Sequence, residues 1–236
     1  MHTKKTVTTK ALGAIAFPAV VGLLAVNCTG GDLDAADRRF ETATRASAGD
    51  VALPVTDGVQ LVVAPEGNEV RYRIREQLVG LDLPNDAMGA TSQVTGGISF
   101  DANGKVVPAS SKFVVNVATL KSDKDRRDNY VRNRILATDG NPTVELAPTS
   151  ITGLTGVLPK SGTRKLQLIG NLTVKGVTRP TTWDVDATFD GDRVTGNAAT
   201  TFTFAEFGLQ QPRVPVVLSV ADSIKLEYTF SLVSKK

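Results

Sequence analysis

Apolar and polar residues alternate with a period of two along most of this chain, and the longest such run covers 168–189. Leu168, Gly170, Leu172 and Val174 fall on one face, with Asn171, Thr173 and Lys175 on the other. Trp183, Val185, Ala187 and Phe189 then alternate with Asp184, Asp186 and Thr188. This period marks half-buried strands. Gly176 frees the backbone and Pro180 fixes φ, so a turn over those residues is expected to join the two strands. The resulting hairpin has one continuous oily face, which must meet a core or a ligand.

The pattern recurs on both sides of that hairpin. A first strand is expected over 59–64, and a second where Val70, Tyr72 and Ile74 alternate with Arg71, Arg73 and Arg75. The stretch 78–92 holds Pro84, Asn85, Asp86 and Gly89 and reads as a loop. Val94, Gly96, Ile98 and Phe100 form the next inward face, and Asn103-Gly104 supplies positive φ for a tight turn. Phe113, Val115 and Val117 return, followed by Val144 and Leu146, then by Leu166 and Leu168. Asp190-Gly191-Asp192 is a second hairpin turn, after which come Thr200, Phe202 and Phe204. Ile224, Leu226, Tyr228, Phe230 and Leu232 close the chain. About eight long strands predict an all-β protein, an antiparallel up-and-down barrel whose interior has room for side chains or one small ligand.

One segment, 122–136, breaks the period. Ser122 or Asp123 is placed to cap a short helix, and Asp123 with Arg127 and Asp128 with Arg132 stand four apart, where helical side chains meet. It is expected to lie near one mouth of the barrel.

Before residue 51 the character changes. Residues 1–10 are basic, and 11–26 are apolar and uncharged, too short for the ~20 residues of a membrane-spanning helix. This predicts a signal peptide over 1–28. Leu24-Ala25-Val26-Asn27-Cys28 resembles a lipobox, with Leu one place early and Asn27 larger than the usual small residue. Lipidation at Cys28, cleavage without lipid and a retained anchor are the three outcomes. A polar tether over 29–50 then leads to a domain at 51–236.

Charge follows the same boundary. The chain of 236 residues carries a formal +3, but without 1–27 it has 24 basic and 24 acidic residues. A domain without net charge has no electrostatic footprint for nucleic acid. The one His is His2 and the one Cys is Cys28. The body therefore cannot build a His-based triad, a Cys nucleophile, a Cys/His zinc site or an internal disulfide. Asp184, Asp186, Asp190 and Asp192 could in principle hold Ca²⁺ or act as an acid/base pair, but their positions read as a solvated face and a turn. Lys121, Lys124, Arg126, Arg127, Arg132 and Arg134 read either as a solvated helix face or as contacts to a phosphate head group.

The run Leu172-Thr-Val-Lys-Gly-Val-Thr-Arg-Pro180 resembles the characteristic hairpin of the YceI-like family, bacterial envelope proteins with a lipocalin-like barrel that holds polyisoprenoid lipids. Gly96–Asp101, Arg127-Asp128 with Asn129-Tyr130-Val131, Asn141–Leu146 and Phe204–Leu209 resemble further family segments in the same order. Tyr130 stands where the family often has His, Val131 replaces Leu, and Phe204 stands near the usual Arg. Alternation alone does not separate packed core from cavity wall. The resemblance implies a cavity lined by Phe100, Phe113, Val115, Leu168, Leu172, Val174, Trp183, Val185, Phe189, Phe202 and Phe204. It places Arg127, Tyr130 and Arg132 at the mouth or head group, with Arg127 and Asp128 also read as an ion pair holding the helical segment.

The function implied is non-enzymatic binding, storage or transport of an isoprenoid lipid, such as a polyprenyl chain or quinone. The protein would be exported to the periplasm or outer envelope and held at the membrane through Cys28. No cofactor or metal is expected beyond the lipid, and a homodimer is compatible with this reading. The alternatives are a surface-anchored structural or stress-related barrel without a ligand, and an enzyme acting on such a lipid through carboxylates, Lys or Tyr.

Overall fold

The computed structural model describes residues 58–235, so the leader, Cys28 and the tether lie outside the described residues. Val51–Lys236 form one compact unit. Ten strands run in chain order: β1 (Val59–Val63), β2 (Glu69–Leu78), β3 (Asn85–Thr91), β4 (Val94–Phe100), β5 (Lys112–Asn116), β6 (Thr143–Thr152), β7 (Ser161–Val174), β8 (Val177–Asp190), β9 (Arg193–Thr203) and β10 (Val217–Ser234). All pairings are antiparallel, and the order β1-β4-β5-β6-β7-β8-β9-β10 closes on itself because β10 also pairs with β1. The sheet is thus a closed barrel of eight strand positions. β2 continues β1 along β10, and β3 pairs with β2.

The break between β1 and β2 is built by Asn68. Its amide donates to the Ala64 carbonyl at 2.8 Å and the Glu66 carbonyl at 3.2 Å. Its oxygen accepts from the Tyr228 hydroxyl at 2.9 Å and the Ser231 backbone N–H at 3.1 Å. A buried amide fully satisfied in this way fixes the local backbone.

Two sequence expectations are corrected here. Residues 85–91 form β3 rather than part of a loop. Gly89 faces Tyr72 across the β2–β3 pair, and a Cβ there would sit 2.6 Å from the tyrosine ring. The glycine that lowered the strand signal is what lets the ring pack. The central turn is also shorter than expected: only Lys175 (φ 49°) and Gly176 (φ 77°) lie between β7 and β8, a two-residue hairpin with both central residues at positive φ. Pro180 belongs to β8, opposite Asn171. β9 pairs with β8 only from Asp184 onward, so the missing N–H of Pro180 removes no ladder bond. At the other tight turn Gly104 alone has positive φ, and the Asp101 carboxylate accepts from the N–H of Asn103 at 2.9 Å and of Lys105 at 2.8 Å.

The two ends of the barrel differ. One, the turn end, carries the 101–105 and 190–192 turns and the 153–160 loop. The other, the helical end, carries the β7–β8 turn and four irregular pieces. These are the turn Val117–Thr119, helix α1 (Asp125–Tyr130), the π-helical turn Val131–Leu136 that continues it, and the short turn Ala205–Phe207. Lys124, not Ser122 or Asp123, is the N-cap of α1. Asp128 reaches back to the backbone N–H of Ser122 at 2.8 Å and its hydroxyl at 2.6 Å, so it is not paired with Arg132.

Candidate functional site: an apolar interior in two lobes

Strand alternation sends one side chain in two into the barrel, and those side chains are aliphatic or aromatic along nearly every strand. They surround two cavities of about 110 Å³ each. The first extends toward the turn end, where Leu154 and Leu158 of the 153–160 loop close it. The second lies under the helical end, covered by Leu120, Val131, Ile135, Leu136 and Leu209. Val70, Val115, Val144 and Leu226 line both, so the two are lobes of one interior pinched at a waist. No charged side chain among the described residues lines either lobe. Lobes with such walls stay dry and accept apolar guests.

All eleven positions read from the sequence as cavity lining lie on these walls, whereas Gly96, also read as inward, is exposed. Phe100, Phe113, Leu168, Leu172, Trp183, Val185 and Phe189 line the first lobe, Val174, Phe202 and Phe204 the second, and Val115 both. Leu168 stands opposite Trp183 and Leu166 opposite Val185, as one face of the hairpin requires. Trp183 donates its indole N–H to Thr181 Oγ1 at 3.0 Å, which satisfies the only polar atom of that side chain.

Arg127, Tyr130 and Arg132 are placed differently: none lines a lobe. Arg127 reaches Glu76 Oε1 of β2 at 3.0 Å and also pairs with Asp123. Arg127 does not pair with Asp128; the two hold the segment through separate partners, Glu76 and Ser122. Arg132 donates to the Leu120 carbonyl and to Asn129 Oδ1, both at 2.9 Å. Tyr130 packs, half-buried, against the core. Asp184 and Asp186 lie on the outer face, bonded to Gln167 at 3.2 Å and Lys165 at 2.8 Å.

The sequence reading missed several wall residues. Leu226 and Tyr228 lie on the last strand, whose alternation had already put them on one face. Leu154, Leu158 and Leu209 come from irregular segments, where no period flags an inward position. Phe207, held under the 205–207 turn and fully buried, packs edge-on against Phe202 with ring centroids 4.6 Å apart. Arg179, opposite Leu172, donates to the Glu206 carbonyl at 3.1 Å and ties that turn to β8.

Tyr72 and Tyr228 are the hydroxylated residues on these walls, and burial keeps both neutral. Tyr72 is pushed up to about 12, chiefly by desolvation, with Arg127 opposing and Asp128 and Glu76 adding. Tyr228 is raised by desolvation alone. A tyrosine whose folded value lies above its unfolded value near 10 contributes stability that is intact below pH 10 and lost as pH rises toward 12. For Tyr72 that loss is expected to reach about 2 kcal/mol by pH 12. Urea melts between pH 9 and 12 should show the decline, and Tyr72→Phe should flatten part of it. An unchanged slope in the variant would mean that Tyr72 ionises freely.

Comparison with known proteins agrees with this architecture. A polyisoprenoid-binding domain from Saccharophagus degradans, implicated in plant cell wall breakdown, superposes with a TM-score of 0.54 at 8% identity, covering 75% of this chain and 98% of that one. Burkholderia cenocepacia BcnA gives 0.50 at 18%, covering 71% and 96%. A mutant of the Campylobacter jejuni YceI protein, with a monobromobimane guest, gives 0.51 at 16%, covering 68% and 91%. At such identities these likenesses bear on the fold alone. No curated protein matches the sequence. The model of the YceI-like domain, however, matches residues 61–232, most of the chain and all but the outermost residues of β1 and β10 in the barrel's wall. The chain belongs to the YceI-like domain family.

Proposed function

We propose that this protein binds an isoprenoid lipid, a polyprenyl chain or isoprenoid quinone, inside its barrel, and stores or carries it in the cell envelope without acting on it chemically. The observation that carries this reading is the two-lobed interior with its wholly uncharged wall. β7 has 14 residues, which at ~3.3 Å per residue and a ~40° tilt gives an axial length of about 35 Å. A long, narrow, apolar space suits a chain rather than a compact ligand. Burial stabilises by about 0.8 kcal/mol per methylene, so about ten buried methylenes match the ~8 kcal/mol of a micromolar complex before ordering costs.

The wall gives no support to catalysis. Its hydroxylated residues are tyrosines held neutral, and Tyr228 is engaged with Asn68. The polyisoprenoid-binding description of the Saccharophagus domain supports the choice of ligand class. Cys28 supports export with a lipid anchor; intact mass of envelope-extracted protein should exceed that of the mature polypeptide by an acyl modification, and Cys28→Ala should remove the excess. Equal masses would sink lipidation.

Trp183 is the chain's only tryptophan and lines the first lobe. A quinone with a long isoprenoid tail is expected to quench its emission in a saturable way, and a saturated isoprenoid alcohol to shift the emission without quenching. If Trp183 responds to neither, no isoprenoid enters the first lobe. The reading favoured by the narrow waist at Val70, Val115, Val144 and Leu226, a structural barrel without a ligand, would then stand.

A further inference from the structure

Five of the eight large hydrophobic residues exposed on the described surface lie together. Val79, Leu81 and Leu83 belong to the β2–β3 loop, Val216 to the turn before β10 and Leu218 to the start of β10, with exposures of 57, 49, 78, 64 and 65%. The segments are joined: Leu78 pairs with Val217, and the Val79 N–H donates to the Val216 carbonyl at 3.0 Å. The other three, Met88, Val157 and Ile169, belong to other segments, as single exposed hydrophobics normally do. A cluster of this kind marks an interaction site.

Its place in the fold identifies the partner. Ile74 and Ile224 pair with each other and line the second lobe. Leu78 is four residues further along β2, about 13 Å at the rise of a strand. The connection from β9 to β10 runs from Leu209 and Pro212 on the lobe wall to Val216 at the tip. The Glu76–Arg127 pair stands between Ile74 and Leu78, so the cluster lies beyond the rim of the second lobe, at the same end of the barrel. The tip segments 78–84 and 212–218 contain one acid, Asp82, and one base, Arg213, so the surface has no sign that would select a charged partner. At the turn end the corresponding turns are polar, Asp101-Ala-Asn-Gly-Lys105 and Asp190-Gly-Asp192.

The geometry points to this tip as the element that docks the barrel on a lipid bilayer, by inserting its aliphatic side chains among the lipids while the second lobe faces the membrane. The cargo class rests on the lipid-binding reading above; the docking does not. An isoprenoid chain is too apolar to cross water freely, so its exchange requires contact between lobe and bilayer. The polypeptide ahead of the barrel leaves room for this orientation. It enters at the turn end, where Val59 pairs with Phe100, opposite the tip. Residues 29–57 can span at most about 100 Å when extended, longer than the barrel, so an anchor at Cys28 does not hold the tip away from the membrane.

The test uses the compact unit 51–236, which lacks the leader and Cys28, with neutral phosphatidylcholine vesicles. The unit is expected to float with the vesicles. The double change Leu81→Asp and Leu83→Asp should lower the floating fraction at least tenfold, and Val157→Asp at the turn end should leave it unchanged. All three forms should keep the same urea midpoint, since the altered side chains are exposed. Transfer of a long-tailed quinone from vesicles should slow at least tenfold in the double variant, while uptake from detergent micelles stays the same. Failure of the unaltered unit to float, or equal flotation of the double variant, overturns the docking. A dimer in sedimentation that the double variant abolishes, with no flotation, would assign the tip to contacts between copies instead. Tip-dependent flotation without quinone uptake from any source would keep the docking and overturn the lipid-carrier reading.

Discussion

Phe207→Ala is expected to lower the free energy of unfolding by about 3–5 kcal/mol, the range for removing a buried aromatic ring from a close-packed site. Phe207 is the most buried large side chain among the described residues, at 1% exposure. It sits where the chain reverses between β9 and β10, with its N–H on the Phe204 carbonyl and Gly208 in the left-handed region behind it. Its ring meets Phe202 edge-on, an arrangement that adds about 0.5–1.5 kcal/mol beyond burial. Without the ring the 205–207 turn loses the group that seats it over the second lobe. The measurement is a urea midpoint, with Phe207→Leu alongside, which keeps part of the volume and should cost less than half as much. A loss below about 1 kcal/mol for alanine would mean that the helical end repacks without its plug.

Leu172→Lys should abolish saturable binding of a long-tailed quinone and cost at least ~3 kcal/mol of stability, because it forces a charge into an apolar wall. Leu172 is 2% exposed, stands opposite Leu146 of β6 and lines the first lobe. Thr173→Lys should change little. That side chain points outward, its hydroxyl 2.8 Å from Thr178 and its cross-strand neighbour Glu145, which already pairs with Lys112 at 2.7 Å. Should Leu172→Lys fail to fold, Leu172→Met, nearly volume-conserving, and Leu172→Ala keep the comparison, with little loss for the first and about 2–5 kcal/mol for the second. Equal effects at 172 and 173 would reverse the assignment of faces.

Where the outcome of folding is a repeating pattern, the residues announce it. Trp183, Val185, Ala187 and Phe189 face inward because a pleated strand leaves them no other choice, and the same rule found Phe113, Phe202 and the last strand. β3 was hidden because Asn85, Asp86, Ala87, Gly89 and Ala90 have poor strand propensity; it exists because β2 offers an edge and Tyr72 needs a flat partner. Pro180 signalled a turn by type, yet the strand tolerates it because one side of β8 lacks a neighbour there. The helical end was the least legible part. The helix at 122–136 was visible, but which carboxylate Arg127 would meet was not, since Glu76 lies 51 positions away and only closure of the barrel brings it near. The linings from 154–158 and 207–209 share that cause: irregular backbone has no period from which an inward direction could be read.

The pairing of β1 with β10 has a kinetic consequence. β7 and β8 are joined by two residues and zip locally, but Val62 meets Val233 across about 170 residues of chain. Closing a loop of that length costs ~2–3 kcal/mol more entropy than closing one of ten residues. Non-local topologies of this kind fold in milliseconds to seconds. Until that last seam forms, the nascent sheet has two unpaired edges and shows both lobes to water, the exposure that makes partly folded chains aggregate. The pairs that β1 and β2 make with β10, from Leu61–Ser234 to Leu78–Val217, therefore end the aggregation-prone interval at the moment they seal the interior.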